Sequence, residues 1–409
     1  MNTRDIEHGE WIDALEQETA SIAAELTALR RHLHQYPELS MHEFHTTDYI
    51  ARLISEQGIA FSKTRSGVGL SCDLECATDG YDGPKIGIRG DIDALPIATM
   101  STRDYASKHK GVMHACGHDA HTTMAYGATV LIHRMAKKKL LPWNVRVRTI
   151  FQPAEETAQG GLLVIEEGML RGLTCVFALH VEPSLTVGEV ATRPGAITAG
   201  CAAFEIKISG STGHSARPYL AVDALSAGVQ FVNQVYALVP RSYDCRDSAV
   251  VSFGTFHAGT AANVITDVAA LSGTLRTLSE ETKQAILNKM LTIAQSVMMA
   301  TGVKVDIRIT NDTPTLKNDP ELALEMLSLS RRLPRVQEVI ELPLPSMGAE
   351  DFAFIATKVP ACLMRLGTGG RDGKNTFPLH STKFDIEEES LCIGAQVLAA
   401  SAIFACRSR

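Results

Sequence analysis

Residues 114–121 read H-A-C-G-H-D-A-H, and they constrain the fold more than any other stretch of the chain. Thiolate, imidazole and carboxylate are the groups that hold Zn²⁺ and similar divalent ions. A chain that crowds them together must present them at a tight, rigid turn. Gly117 permits such a turn between Cys116 and His118. The alternative is a polar loop with structural histidines, and the rest of the pattern decides against it.

Periodicity predicts helices over 13–35 and 46–57, then strands at 68–74 and 85–91. A helix runs from the 114–121 motif to about residue 135, followed by a strand at 145–152, a helix at 162–170 and a strand at 175–180. This alternation predicts an α/β domain with a mostly parallel sheet. In such sheets ligands gather beyond the carboxyl ends of the strands. Asp91, Asp93, Glu155, Glu156 and His180 all fall at or just past a predicted strand end, which points to one shared site.

From about residue 201 the pattern changes. Strands at 204–209, 249–256, 270–278 and 303–310, with helices over 222–238 and after Ser279, give the order β-α-β-β-α-β of a ferredoxin-like α+β unit. In the last of these strands Val303, Val305, Ile307 and Ile309 share one face. The expected division is a first domain over 1–199, an inserted domain over 200–311, and a return to the first domain over 312–409. That return carries a helix at 321–332, an acidic turn at 346–351, a strand at 362–366 and a last helix over 385–405. Asp385 and three glutamates are placed to cap this helix.

Charge and cysteine usage narrow the function. With 39 Lys and Arg against 46 Asp and Glu, the net charge of -7 argues against nucleic acid or an anionic membrane as the main partner. No apolar run is long enough to span a bilayer. The acidic segment 1–19 does not read as a secretory signal. Nine scattered cysteines suit reduced thiols and a cytoplasmic location.

The chemistry-bearing candidates are Cys116, His118, Glu155, Glu156, His180 and His380. One metal ion rarely needs more than four protein ligands, so this surplus suggests a binuclear centre. Water between two cations has its pKa lowered to roughly 7 and can attack an amide carbonyl as hydroxide. The adjacent glutamates then divide the labour: one binds metal, and the other moves a proton from water to the leaving amine. A rival reading makes Cys116 the nucleophile of a cysteine-dependent amidase. His114 and His121 are read as orienting ligands or capping the helix, and Asp119 as orienting an imidazole. Asp91 and Asp93 either orient ligands or close their strand, and His257 is a further residue that could reach substrate.

Ten motifs occur in the order found in the aminoacylase/carboxypeptidase metallohydrolase family. They are R-R-H-L-H-Q-Y-P-E-L-S at 30–40, D-I-D-A-L-P at 91–96, M-H-A-C-G-H-D-A-H at 113–121, F-Q-P-A-E-E at 151–156, A-L-H at 178–180, G-H-S-A-R-P at 213–218, A-N-V-I at 262–265, G-T-L-R at 273–276, M-G-A-E-D-F at 347–352 and P-L-H-S at 378–381. The chain resembles this family over nearly its full length, within it the hippurate hydrolase and auxin-conjugate amidohydrolase branch. The resemblance implies a zinc-peptidase-like catalytic domain with an inserted lid and dimerisation domain. It implies Cys116, His118, Glu156, His180 and His380 as ligands of two divalent ions, Zn²⁺ or Mn²⁺, with Co²⁺ or Ni²⁺ possible. Glu155 becomes the general base and acid, and His214, Asn263 and Arg276 become substrate-binding groups. The implied activity is cleavage of N-acyl amino acids or related conjugates by a homodimer, with a dipeptidase or carboxypeptidase of the same family as the alternative. Gly90 departs from the alanine common in relatives, and Tyr219 from a histidine.

Overall fold

The computed structural model describes residues 3–78, 80–373 and 375–407, with side chains from residue 9 onward. The chain divides into two compact units: Met1–Ile197 with Lys317–Leu344 and Asp351–Arg409, and Thr198–Leu316 with Pro345–Glu350. The sequence pattern gives no sign that Pro345–Glu350 returns to the second unit.

The first unit is built on an eight-stranded mixed sheet. Its central strands, Val145–Gln152, Ile86–Asp91, Cys175–Thr186 and Ala361–Gly369, lie side by side and parallel. Ile86–Asp91 is buried at every position: Ile86 and Ile88 bring apolar side chains to one face, and on the other the charges of Arg89 and Asp91 pair at 2.6 Å. Leu70–Cys76 and Phe61–Lys63 extend one side in antiparallel fashion. On the other side Glu189–Thr192 pairs antiparallel with Ala361–Gly369, and Glu338–Glu341 adds a parallel edge. Three of these strands, Phe61–Lys63, Glu189–Thr192 and Glu338–Glu341, escape the sequence pattern because three or four residues are too few for a period to register.

Three helices pack against one another beside the sheet: Thr3–Gln35, His118–Lys137 and Glu389–Ala405. The last two are buried along most of their length, and Glu389–Ala405 is apolar almost all round. The first helix begins well before residue 13, and Trp11 and Ile12 already belong to the core. The last helix begins at Glu389 rather than 385, and its N-cap Glu388 makes no capping bond. Asp385 is committed elsewhere: it accepts from Arg30 and from the Tyr105 hydroxyl, both at 2.8 Å. A buried carboxylate gains more from a guanidinium than from a peptide N–H, because its charge needs a counter-charge.

The second unit carries a four-stranded antiparallel sheet in the order Ala249–Ala258, Val268–Thr277, Gly200–Ser209, Lys304–Thr313. Helices Ala224–Leu238 and Glu280–Thr301 pack on it and complete the β-α-β-β-α-β order. Gly200–Ser209 alternates between buried and exposed positions, so Phe204, Ile206 and Ile208 reach the core with Phe231, Ile286 and Val297. Val305, Ile307 and Ile309 share a face as expected, opposite Ile208, Ile206 and Phe204 in unbroken register. The register shifts only after Ile309, which is 37% exposed. An extra residue in a strand turns it locally and breaks strict alternation.

Among the described residues no helix is long and apolar enough to cross a membrane.

Candidate metal centre

Two glycines set the position of the metal-type ligands. Gly117 has φ +84°, and a Cβ there would lie 2.4 Å from Val181 Cγ2, so no side chain fits. This turn separates Cys116 from His118, which starts the helix His118–Lys137. Gly90 lies under the same helix: a Cβ there would come within 2.8 Å of the His121 carbonyl oxygen. Glycine at 90 therefore seats the helix closer to its strand than alanine would allow.

The strand ends then converge within the first unit. Cys116 Sγ lies 3.6 Å from His180 Nε2. His118 Nε2 lies 3.7 Å from Glu156 Oε1 and 3.9 Å from Glu155 Oε2. His380 Nε2 is 3.8 Å from Glu156 Oε1. Donor atoms of Cys116, His118 and His180 all lie within 4.8 Å of one another, as do those of Cys116, Glu156 and His380, and those of His118, Glu155 and Glu156. The structure thus brings all six sequence candidates together, and Cys116 belongs to two of the groups.

Hydrogen bonds behind these donors fix their direction. Asp93 Oδ1 takes His118 Nδ1 at 3.0 Å, and Asp93 Oδ2 accepts from the Ser40 hydroxyl at 2.6 Å and the Glu156 N–H at 3.0 Å. His180 Nδ1 donates to the Val181 carbonyl at 2.7 Å. Occupied Nδ1 atoms leave Nε2 of both rings for a cation. Glu155 Oε1 accepts the Asp351 N–H at 3.2 Å, and the Asp351 carboxylate is held by Arg89, Gln152 and the Gly161 N–H. Replacing Asp93 by Ala is expected to weaken metal binding by about 10–100-fold, measured by metal titration of the purified variant.

The flanking residues separate clearly. His121 spends both nitrogens, donating to Asp91 at 2.7 Å and accepting the Val181 N–H at 2.9 Å, so it braces the site from behind. Asp119 does hold an imidazole, that of His34 at 2.7 Å rather than of a candidate ligand, and it also accepts from Arg30 at 2.9 Å. His114 is buried with neither ring nitrogen hydrogen-bonded, so it caps nothing.

Electrostatics at the centre favour a cation. Burial opposes charge on His118, yet Asp91 and Asp93 overcome it and hold the imidazole well above its ordinary value. Burial, then the Arg365 charge, push His180 well below. Burial drives the Cys116 thiol up, and lifts Glu156 to about 7. Without metal, then, a proton on His118 answers a ring of carboxylates. A divalent ion displaces such protons when it binds.

The donor set also passes a test of fit. His118 Nε2 and Glu156 Oε1 are buried atoms with no hydrogen-bond partner. Each bare polar atom costs about 1–3 kcal/mol, and a divalent ion between such donors removes that cost. Two residues at the site hold left-handed backbone without being glycine: Ala154 at φ +55° and His380 at φ +65°. Strain of this kind persists where surroundings impose it and concentrates at functional sites.

The candidate substrate groups lie in the second unit. His214 and Asn263 adjoin through the short ladder Gly213–His214 with Val264–Ile265, and the Ser215 N–H bonds the Asn263 carbonyl at 3.1 Å. His214 Nδ1 accepts the Ala216 N–H at 3.1 Å, which leaves Nε2–H as a donor. Arg276, on Val268–Thr277, donates to the Met347 carbonyl at 2.8 Å.

The family model for peptidase family M20/M25/M40 matches residues 87–403. The chain belongs to this family. An N-acetyl-L-cysteine deacetylase of Bacillus subtilis (strain 168) is 34% identical, over 94% of this chain and 88% of its own. Thermostable carboxypeptidase 1 of Saccharolobus solfataricus is 33% identical, over 96% of this chain and 98% of its own. The solved Bacillus subtilis YXEP protein, described as a dinuclear metal binding peptidase from M20 family, matches with a TM-score of 0.81 at 32% identity, covering 94% of this chain and 99% of that one. The α/β architecture with its mixed, mostly parallel sheet is the M20 peptidase fold. The matched span contains all six centre candidates, while Ser40 and Glu43, which also contribute to it, lie outside.

Proposed function

We propose that this M20 chain is a metal-dependent amidohydrolase that splits N-acyl amino acids, or related amino-acid conjugates, into acid and amine. The finer placement within the hippurate hydrolase and auxin-conjugate amidohydrolase branch is part of the same proposal. The observation that carries it is the second carboxylate: Glu155 stands beside a complete set of metal-type donors.

Cys116, His118, Glu156, His180 and His380 would hold two divalent ions. Zn²⁺ or Mn²⁺ is the expected pair, and the same donors accept Co²⁺ or Ni²⁺. When bound, the ions lower the pKa of a water and polarise the scissile carbonyl. Glu155, pinned at Oε1 by the Asp351 N–H, keeps Oε2 toward His118 and can take the proton of that water. It then returns the proton to the leaving nitrogen. Arg276 and Asn263 suit a substrate carboxylate. The His214 Nε2–H suits the oxygen on which negative charge develops. The second unit would serve as lid and as the surface of a homodimer. The nine scattered cysteines agree with a cytoplasmic location.

The test is a hydrolysis panel of N-acetyl, N-benzoyl and long-chain acyl amino acids with several divalent ions. Turnover of free acids but not of their methyl esters is expected. A metal-loaded enzyme that cleaves none of them defeats the reading. A second reading, a dipeptidase or carboxypeptidase, is favoured by the likeness to thermostable carboxypeptidase 1, and dipeptides in the panel decide it. Chelation should abolish activity and added divalent ions should restore it. Activity that survives complete metal removal would instead favour Cys116 as a nucleophile.

A further inference from the structure

Glu43 precedes the helix Phe44–Glu56 and is 0% exposed. It has no ion-pair partner among the described residues. Its Oε1 accepts the Ala154 N–H at 2.8 Å, while its Oε2 is buried with no hydrogen-bond partner. Burial, then the nearby charge of Asp93, push this carboxyl up to about 7. A buried, half-satisfied carboxyl destabilises a fold, and an apolar side chain of similar size would pack there at less cost.

What the carboxyl holds explains its presence. Ala154 has φ +55°, and the two residues after it are Glu155 and Glu156. A left-handed non-glycine residue is strained and reverts unless its neighbours hold it. The Ala154 carbonyl is fixed by the N–H groups of Gln159 and Gly160 at 3.1 and 3.0 Å. Its N–H is fixed by Glu43. Glu43 is itself anchored, because its carbonyl accepts the Thr47 N–H at 2.9 Å and the Thr47 hydroxyl at 2.6 Å. That hydroxyl also takes the Gly69 N–H at 2.8 Å, and a Cβ on Gly69 would strike Pro153 Cδ at 2.6 Å. The turn that carries both glutamates is therefore gripped on each side of one strained residue.

We propose that Glu43 is a positioning residue, whose carboxyl oxygen clamps the Ala154 N–H and so holds the turn that presents Glu155 and Glu156 to the metal centre. The proposal rests on the amidohydrolase reading. What the turn requires of Glu43 is an acceptor at the right reach, and its charge is incidental.

Three variants test this: Glu43→Gln, which keeps the acceptor; Glu43→Asp, which keeps the acid but falls one methylene short; and Glu43→Leu, which removes both. Each is measured for kcat, KM, bound metal and amide hydrogen exchange over residues 154–161. Glu43→Gln should stay within about threefold of wild-type kcat. The Asp and Leu variants should lose kcat by about 10–100-fold with KM within about twofold, as for other groups that orient metal-site residues. Exchange at Ala154 and the following turn should accelerate in those two variants and not in Gln. A Leu variant with unchanged kcat and unchanged exchange overturns the proposal, as does a Gln variant that falls as far as Leu. If the Leu protein does not fold, the Asp variant decides on the same two readouts. The exchange result stands without any substrate, so a wild type that hydrolyses nothing defeats the amidohydrolase reading alone.

Discussion

Glu155→Gln yields a folded protein with its full metal complement and a kcat lowered by about 10²–10⁴-fold, the usual worth of a positioned general base and acid. The amide keeps the shape of the carboxylate and can still accept the Asp351 N–H, which lies 3.2 Å from Oε1. What it cannot do is take a proton. Glu156→Gln should fail differently. Glu156 Oε1 faces both His118 Nε2 and His380 Nε2 within 3.8 Å, so its loss reduces bound metal before it reduces turnover by the metal that remains. Metal content measured beside kcat separates the two. Equal loss of metal in both variants, or wild-type turnover in Glu155→Gln, would break the division of labour between the glutamates.

The sequence suggests the proposed division because paired carboxylates follow a strand and a proline. Cys116, His118 and His180 were legible for a related reason: each sits where a predicted strand or helix begins or ends, and that is where side chains can meet. The ferredoxin-like unit announced itself through alternation, which a two-residue period makes visible over ten residues. Groups that act on the backbone left no such mark. Glu43 stands in the polar run H-E-F-H-T and looks like a solvated charge, yet it bonds a peptide 111 positions away. Asp351 was read only as part of an acidic turn, and its grip on Glu155 spans 196 positions. Asp119 holds an imidazole as expected, but it is that of His34 on a different helix, which the sequence does not single out. In each case a short polar side chain is unambiguous in type and silent about which distant group it meets. The family motif M-G-A-E-D-F was the one sequence signal that could have marked Asp351.

Arg30→Ala should cost the first unit about 3–5 kcal/mol, the range seen when one partner of a buried ion pair is removed. Arg30 is fully buried and joins segments far apart in sequence: Nε meets Asp119 at 2.9 Å and Nη2 meets Asp385 at 2.8 Å. Without the guanidinium, Asp119 keeps His34 and Asp385 keeps the Tyr105 hydroxyl, but the two desolvated carboxylates lose the cation they share. Both stand close to ligand candidates in the chain, Asp119 directly after His118 and Asp385 five residues beyond His380. The variant should therefore bind metal more weakly as well as unfold more easily. Urea denaturation followed by tryptophan fluorescence isolates the effect. The chain has two tryptophans, Trp11 and Trp143, both in the first unit with ring centroids 6.3 Å apart. Their signal reports that unit and is blind to the second. Combining Arg30→Met with Asp119→Asn should recover part of the loss, because removing a buried charge together with its partner is gentler than stranding it. A single variant that loses less than about 1 kcal/mol would put Arg30 in the class of solvated surface pairs. The helix Thr3–Gln35 would then be fastened to the helix that bears His118 by apolar packing and by the His34–Asp119, Glu25–Tyr126 and Glu25–Arg134 contacts.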